Sequence, residues 1–149
     1  MTDAYSSDVL KLAADIPHLG RLGDPSASAR KVSRICGSEL TLDLRLDGAG
    51  RIADLGLELQ ACALGQASAS VFARSAIGAD EAEIEAARGA LKAMLQQGAA
   101  PPEGRFSDLK ALAPAAAYRQ RHGSILLVFD AALDAFAQAA VDSASSAAP

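Results

Sequence analysis

The chain has no tryptophan, two tyrosines and four phenylalanines, so aromatic stacking platforms are nearly excluded. It has no surplus of positive charge. Fourteen Lys+Arg stand against eighteen Asp+Glu, a net charge of −4, which argues against a nucleic-acid binder held by phosphate contacts. Two cysteines are too few for a disulfide framework. The longest apolar runs fall well short of the ~20 residues that span a bilayer. The opening segment MTDAYSSDVL has neither the basic start nor the apolar stretch of a signal peptide. The expectation is a cytosolic protein with neither nucleic acid nor membrane among its partners.

What remains is the material of a folded domain. Half of the 149 residues are hydrophobic and 21% are charged, a balance that can bury a core. Thirty-five residues are alanine, which favours helices with close contacts. The length suits a single domain, expected over 1–141, with the tail 142–149 (DSASSAAP) disordered.

Hydrophobic periodicity divides the chain. Residues 7–16 read as a short helix, capped by Ser7 or Asp8 and ended by Pro17. Residues 17–26 form a loop by their Pro and Gly content, and 27–35 are a candidate strand. Leu40, Leu42, Leu44 and Leu46 alternate with Thr41, Asp43, Arg45 and Asp47, so one face is buried and the other solvated. After the turn Asp47–Gly50, Leu55, Leu57 and Leu59 alternate against Asp54, Gly56, Glu58 and Gln60. Two such runs joined by a Gly-rich turn predict an antiparallel hairpin.

Helices are predicted beyond Gln60: 63–77, stopped by Gly78; about 81–97, with Asp80 and Glu83 as a capping pair; one or two turns over 107–112; and a last helix from His122 or Ser124 to Val141. Strands first and helices after is an α+β pattern, a small three-stranded antiparallel sheet with helices packed on one face. No Gly-rich phosphate loop, Ser-His-Asp pattern or paired-carboxylate motif is present. No catalytic residue is assigned, and no enzyme is expected.

The residues that carry chemistry are few. Cys36 precedes the first hairpin strand and Cys62 follows the second. Hairpin partners place those two ends at one edge of the sheet, so the thiols are neighbours in space. Cys62 also begins a helix, whose N-terminal partial positive charge and free N–H groups favour a thiolate. A free cysteine is most commonly a small buried apolar residue, but such a residue gains nothing from that placement. His122 opens the last helix beside Arg119 and Arg121. Alone it reads as a surface or cap residue. If that helix starts near the hairpin edge, His122 completes a Cys/Cys/His set suited to zinc or iron–sulfur chemistry, with the arginines as positive charge nearby.

At these residues the chain resembles the iron–sulfur cluster assembly scaffold family, the IscU/NifU N-terminal/SufU group, from about Tyr5 to Phe136. Cys36-Gly37-Ser38 matches the family's Cys-Gly-Asp. The run Cys62 to Ser70 matches Cys-x-x-x-x-x-Ser-x-Ser, the most specific segment. His122-Gly123-Ser124-Ile125-Leu126 matches His-Cys-Ser-Ile-Leu, and Ile16 to Gly20 resembles Asn-Pro-x-x-x-Gly. The resemblance implies an IscU-like fold and a scaffold that binds a transient [2Fe–2S] cluster or zinc. It implies a cysteine desulfurase and cluster acceptors as partners, and ligand roles for Cys36, Cys62 and His122. The family's Asp is Ser38 here, and its third Cys, the sulfur acceptor, is Gly123. The site is thus short of one thiolate and one carboxylate. Water, Glu39, Asp24, His18 or a second protomer is available to make up the set, and a homodimer would bring four thiolates to one cluster. Since the ligands must be deprotonated, affinity should fall at acid pH. The alternative is a degenerate homologue, a zinc-binding or protein-interaction module without cluster assembly. A sulfurtransferase using one reactive cysteine is a third option, against which the missing third Cys counts.

Overall fold

The computed structural model describes residues 4–35 and 37–147. Three strands form one antiparallel sheet: β1 (Ala27–Ser33), β2 (Ser38–Leu46) and β3 (Ile52–Gln60), in the order β1-β2-β3. The hairpin register runs from Glu39 opposite Gln60 to Leu46 opposite Ile52, with an irregularity between Arg45 and Leu46. The alternating leucines account for this. Leu40, Leu42 and Leu44 of β2 and Leu55 and Leu57 of β3 all enter the core, and slipping the pairing by one residue would turn them outward.

Among the described residues there are four α-helices, α1 (Ser7–Ala14), α2 (Ala63–Ser75), α3 (Glu81–Gln97) and α4 (His122–Ala147). Helix α4 packs on β1 and β2, and α2 and α3 pack on α4. Ser6, rather than Ser7 or Asp8, caps α1, its hydroxyl accepting from the Val9 N–H. Asp80 caps α3 as expected, accepting from the Glu83 N–H at 2.9 Å. The Glu83 carboxylate turns to Arg105 and Arg51 instead of closing a capping box. Phe72 of α2 and Phe129 of α4 meet edge to face at 5.4 Å between centroids, with Phe106 against both. These rings and the leucine face are one continuous core.

Beyond these caps, three features depart from the sequence expectation. The segment Gly104–Ala117 is a long run of 3-10 turns broken at Phe106, where one or two turns were expected. It buries Phe106, Leu109 and Leu112 against α2 and α3. Helix α4 continues past Val141 to Ala147. The stretch Arg119–Asp142 is long and apolar enough to cross a membrane by composition, although no unbroken apolar run reaches that length; 56% of its most apolar window is buried inside the protein, which is the situation of a core helix.

The outer face of the hairpin is the third departure. Asp43, expected in water, is fully buried at the side chain. The N-terminal loop folds over it. The Arg21 guanidinium forks onto both carboxylate oxygens, and the Leu22 N–H and the Ser28 hydroxyl also donate to them. Burial alone would push this carboxyl up, but the donors prevail and hold it below its ordinary value. Gly56 lets the same loop approach, since a Cβ there would stand 2.5 Å from the Gly20 carbonyl oxygen.

Candidate metal centre

The hairpin register determines which residues can meet at the site. Glu39 pairs with Gln60, so the segment before Ser38 and the segment after Gln60 leave the sheet at the same edge. Cys62 stands at the N-terminus of α2 with extended backbone, its carbonyl accepting from the Gln66 N–H at 2.9 Å. Its sulfur is half-buried against the core. Cys36, the other thiol expected there, lies outside the described residues; its neighbour Gly37 sits in the β1–β2 turn, the Gly37 N–H bonded to Ser33 O at 2.8 Å.

Two serines close the site from beneath. The Ser124 Oγ of α4 lies 3.6 Å from Cys62 Sγ and 2.8 Å from the Ser38 Oγ of β2. Both serines are almost fully buried, Ser38 at 1% exposure and Ser124 at 2%. The first turn of α4 therefore reaches the hairpin edge, as the Cys/Cys/His proposal required of it. Gly65 of α2 makes room for this: a Cβ there would overlap Ser124 Oγ and press on its carbonyl oxygen at 3.3 Å.

Electrostatics favour a thiolate at Cys62. Burial pushes the thiol up, yet the N–H groups of Gly65 and Leu64, the Ser124 hydroxyl and the Arg121 charge together bring it below its ordinary value. The sulfur makes no full capping hydrogen bond to the helix; the N–H groups act as oriented dipoles at the helix N-terminus. Arg121 thus takes the electropositive role expected of it.

His122 is buried, with its Nε2 3.1 Å from the Ala115 carbonyl oxygen. A carbonyl only accepts, so Nε2 is the donor in this contact, and Nδ1 is the ring nitrogen left to meet an ion. Metal-bound histidines commonly have this arrangement, one nitrogen donating to a carbonyl and the other binding the ion. Among the described residues, no three His, Cys, Asp or Glu side chains gather to hold an ion. His18, Asp24 and Glu39 therefore do not complete a set with Cys62 and His122. Glu39 pairs with Arg30 at 2.7 Å, and His18 lies in the loop along β3. Ser38 and Gly123, the two departures, differ in kind: the hydroxyl of Ser38 is engaged by Ser124, while a Cβ at Gly123 would stand 3.1 Å from the Ser33 hydroxyl.

Sequence reasoning missed Ser124 as a member of the site. The only signal was its place in the His-x-Ser-Ile-Leu segment, which carries no chemistry until α4 is docked.

Comparison with known proteins identifies the family and the fold. The family model for the NifU-like N-terminal domain matches residues 4–122. No curated protein matches. Among solved structures, the N-terminal part of a nitrogen-fixing NifU-like protein from Brucella abortus is 43% identical, with a TM-score of 0.88 over 91% of this chain and 94% of that one. A protein described as an iron–sulfur cluster assembly scaffold for the SUF system, from Fervidobacterium islandicum AW-1, is 22% identical. Its TM-score is 0.80 over 89% of this chain and 96% of that one, a likeness that speaks for the fold. The chain belongs to the NifU-like N-terminal domain family of iron–sulfur cluster assembly scaffolds.

Proposed function

We propose that this scaffold receives its cargo, a transient [2Fe–2S] cluster or a zinc ion, at Cys36, Cys62 and His122. Cys36 and Cys62 act as thiolate ligands and His122 binds through Nδ1. The observation that carries the reading is the state of Cys62: a half-buried thiol held toward thiolate by a helix N-terminus, a hydroxyl and Arg121. The donor types fit the cargo, since thiolate sulfur and imidazole nitrogen suit both iron–sulfur clusters and zinc. The register at the hairpin edge supports Cys36 as the companion thiol. The sulfur donor is a cysteine desulfurase and the recipients are cluster-accepting proteins in the cytosol. No catalytic step is assigned to the chain's own residues: the scaffold presents ligands and the chemistry belongs to the cargo.

Anaerobic reconstitution with iron and sulfide tests this. The parent protein turns brown and Cys62→Ala stays colourless with an unchanged circular dichroism spectrum. A Cys62→Ala chain that loads as well as the parent overturns the site. Ser38 and Gly123, at the positions of the family's acidic and third thiol residues, favour a second reading as a zinc-stabilised interaction module. That reading gives a colourless product with about one zinc per chain.

A further inference from the structure

The position where the family pattern has an acidic residue is occupied by a hydroxyl that faces another hydroxyl. We propose that Ser38 is a positioning residue rather than a ligand, acting on the Cys62 sulfur through Ser124. The inference rests on the reading of Cys62 as a ligand.

Ser38 Oγ, Ser124 Oγ and Cys62 Sγ form a chain with links of 2.8 and 3.6 Å. Each serine has one hydroxyl proton and two acceptor lone pairs, and either serine can donate to the other. When Cys62 is a thiol, its S–H donates to Ser124, whose own proton is then available to Ser38. When Cys62 is a thiolate or metal-bound, Ser124 must donate to sulfur. Its own oxygen then accepts from Ser38. Removing Ser38 takes away the donor that polarises Ser124, so the effect at sulfur arrives through one intermediate.

Packing supports a dedicated arrangement. Both serines are buried, and water has little access to replace either bond. Gly65 lies where any side chain would displace Ser124. Among the described residues, no buried side-chain nitrogen or oxygen lacks a partner, so the serine pair is satisfied without a ligand role for Ser38. Among the described residues, the groups acting on the sulfur are the N–H groups of Leu64 and Gly65 of α2, the hydroxyl of Ser124 of α4, and Arg121 just before α4.

The test is a double-mutant cycle on the full chain, with Co²⁺ alone as the probe. Affinity and the sulfur-to-cobalt charge-transfer band are both read. Ser124→Ala weakens Co²⁺ binding by about tenfold and shifts the band, the scale of a lost outer-shell partner. Ser38→Ala shifts the band in the same direction, and Ser38→Thr restores it. The double variant binds no more weakly than Ser124→Ala alone, because the residues act in series. Independent, additive effects of the two serines overturn the proposal, as does loss of the band in Ser38→Ala with Ser124→Ala unaffected. A parent chain that takes up no Co²⁺ overturns the ligand reading of Cys62, and this proposal with it. Additivity in a chain that does load overturns this proposal only. Urea midpoints for each variant check that the fold survives; should Ser124→Ala unfold, Ser38→Ala against Ser38→Thr still decides, an unmoved band in Ser38→Ala overturning the proposal.

Discussion

Gly65 and Ser124 are packed so closely that the glycine has no room for even a methyl group. Gly65→Ala should therefore displace the first turn of α4 from Cys62. The expected loss is about 1–3 kcal/mol, the usual cost of overpacking, together with weaker Co²⁺ or zinc uptake. Gly89→Ala is the control: it lies inside α3 with nothing within 4 Å of the added carbon, and should stabilise by up to about 1 kcal/mol. Urea unfolding of both variants checks the pair, and equal effects would remove the contact from the account.

The lowered pKa of Cys62 gives a pH profile. A thiol reacts with iodoacetamide as thiolate, so alkylation at Cys62 should rise at lower pH than for a free cysteine, about 8.5. Peptide mapping by mass spectrometry separates it from Cys36. Arg121→Gln should move the midpoint upward, because a cation that favours the charged form is lost. A midpoint at or above the free-cysteine value contradicts the helix-terminus reading.

Asp43 ties the N-terminal loop to the sheet, and its titration should make the protein acid-sensitive. Its folded pKa is depressed, so its stabilisation is complete above the unfolded value, about 3.9. It is lost as pH falls through the folded value. Asp43→Asn should cost about 2 kcal/mol at neutral pH, the scale of losing charge-assisted bonds; half-exposed Arg21 can return to water, which limits the loss. The variant's stability should also vary less with pH below 5. Urea midpoints across that range measure both effects.

The three phenylalanine rings between α2, α4 and the 3-10 segment form the centre of the helical layer. Phe129→Ala should cost about 3–5 kcal/mol, while Phe129→Leu should cost much less, because it leaves a smaller cavity. Thermal unfolding distinguishes them; equal losses would point to the ring contacts rather than to volume.

The hairpin was legible because period-two leucines leave few other solutions, and the change of period at Gln60 marked the start of α2. Helix α3 was likewise carried by its caps and apolar stripe, and α4 by its apolar stripe alone. Burial of Asp43 was not legible, because alternation reports which face a residue takes and not what later covers that face. The loop bearing Arg21 is itself aperiodic, and only tertiary folding brings it over the hairpin. Segment Gly104–Ala117 escaped for a related reason: its alanines and Pro114 show no helical period. At the site, Cys62 announced itself by position. Ser124 did not, since a serine among apolar neighbours gains meaning only when α4 meets β2. The pairing of Cys62 with Ser38 through Ser124 is a property of the docked layers.

The loop that carries His18 and Gly20 lies along β3. The Leu57 N–H donates to the His18 carbonyl and the Leu57 carbonyl accepts from the Gly20 N–H, at 3.0 and 2.8 Å. Bare strand margins are templates for amyloid-like stacking of one molecule on the next. Here that margin is already spent on the chain's own backbone at Leu57, so a crowded solution of this protein is guarded against ladder growth at that point.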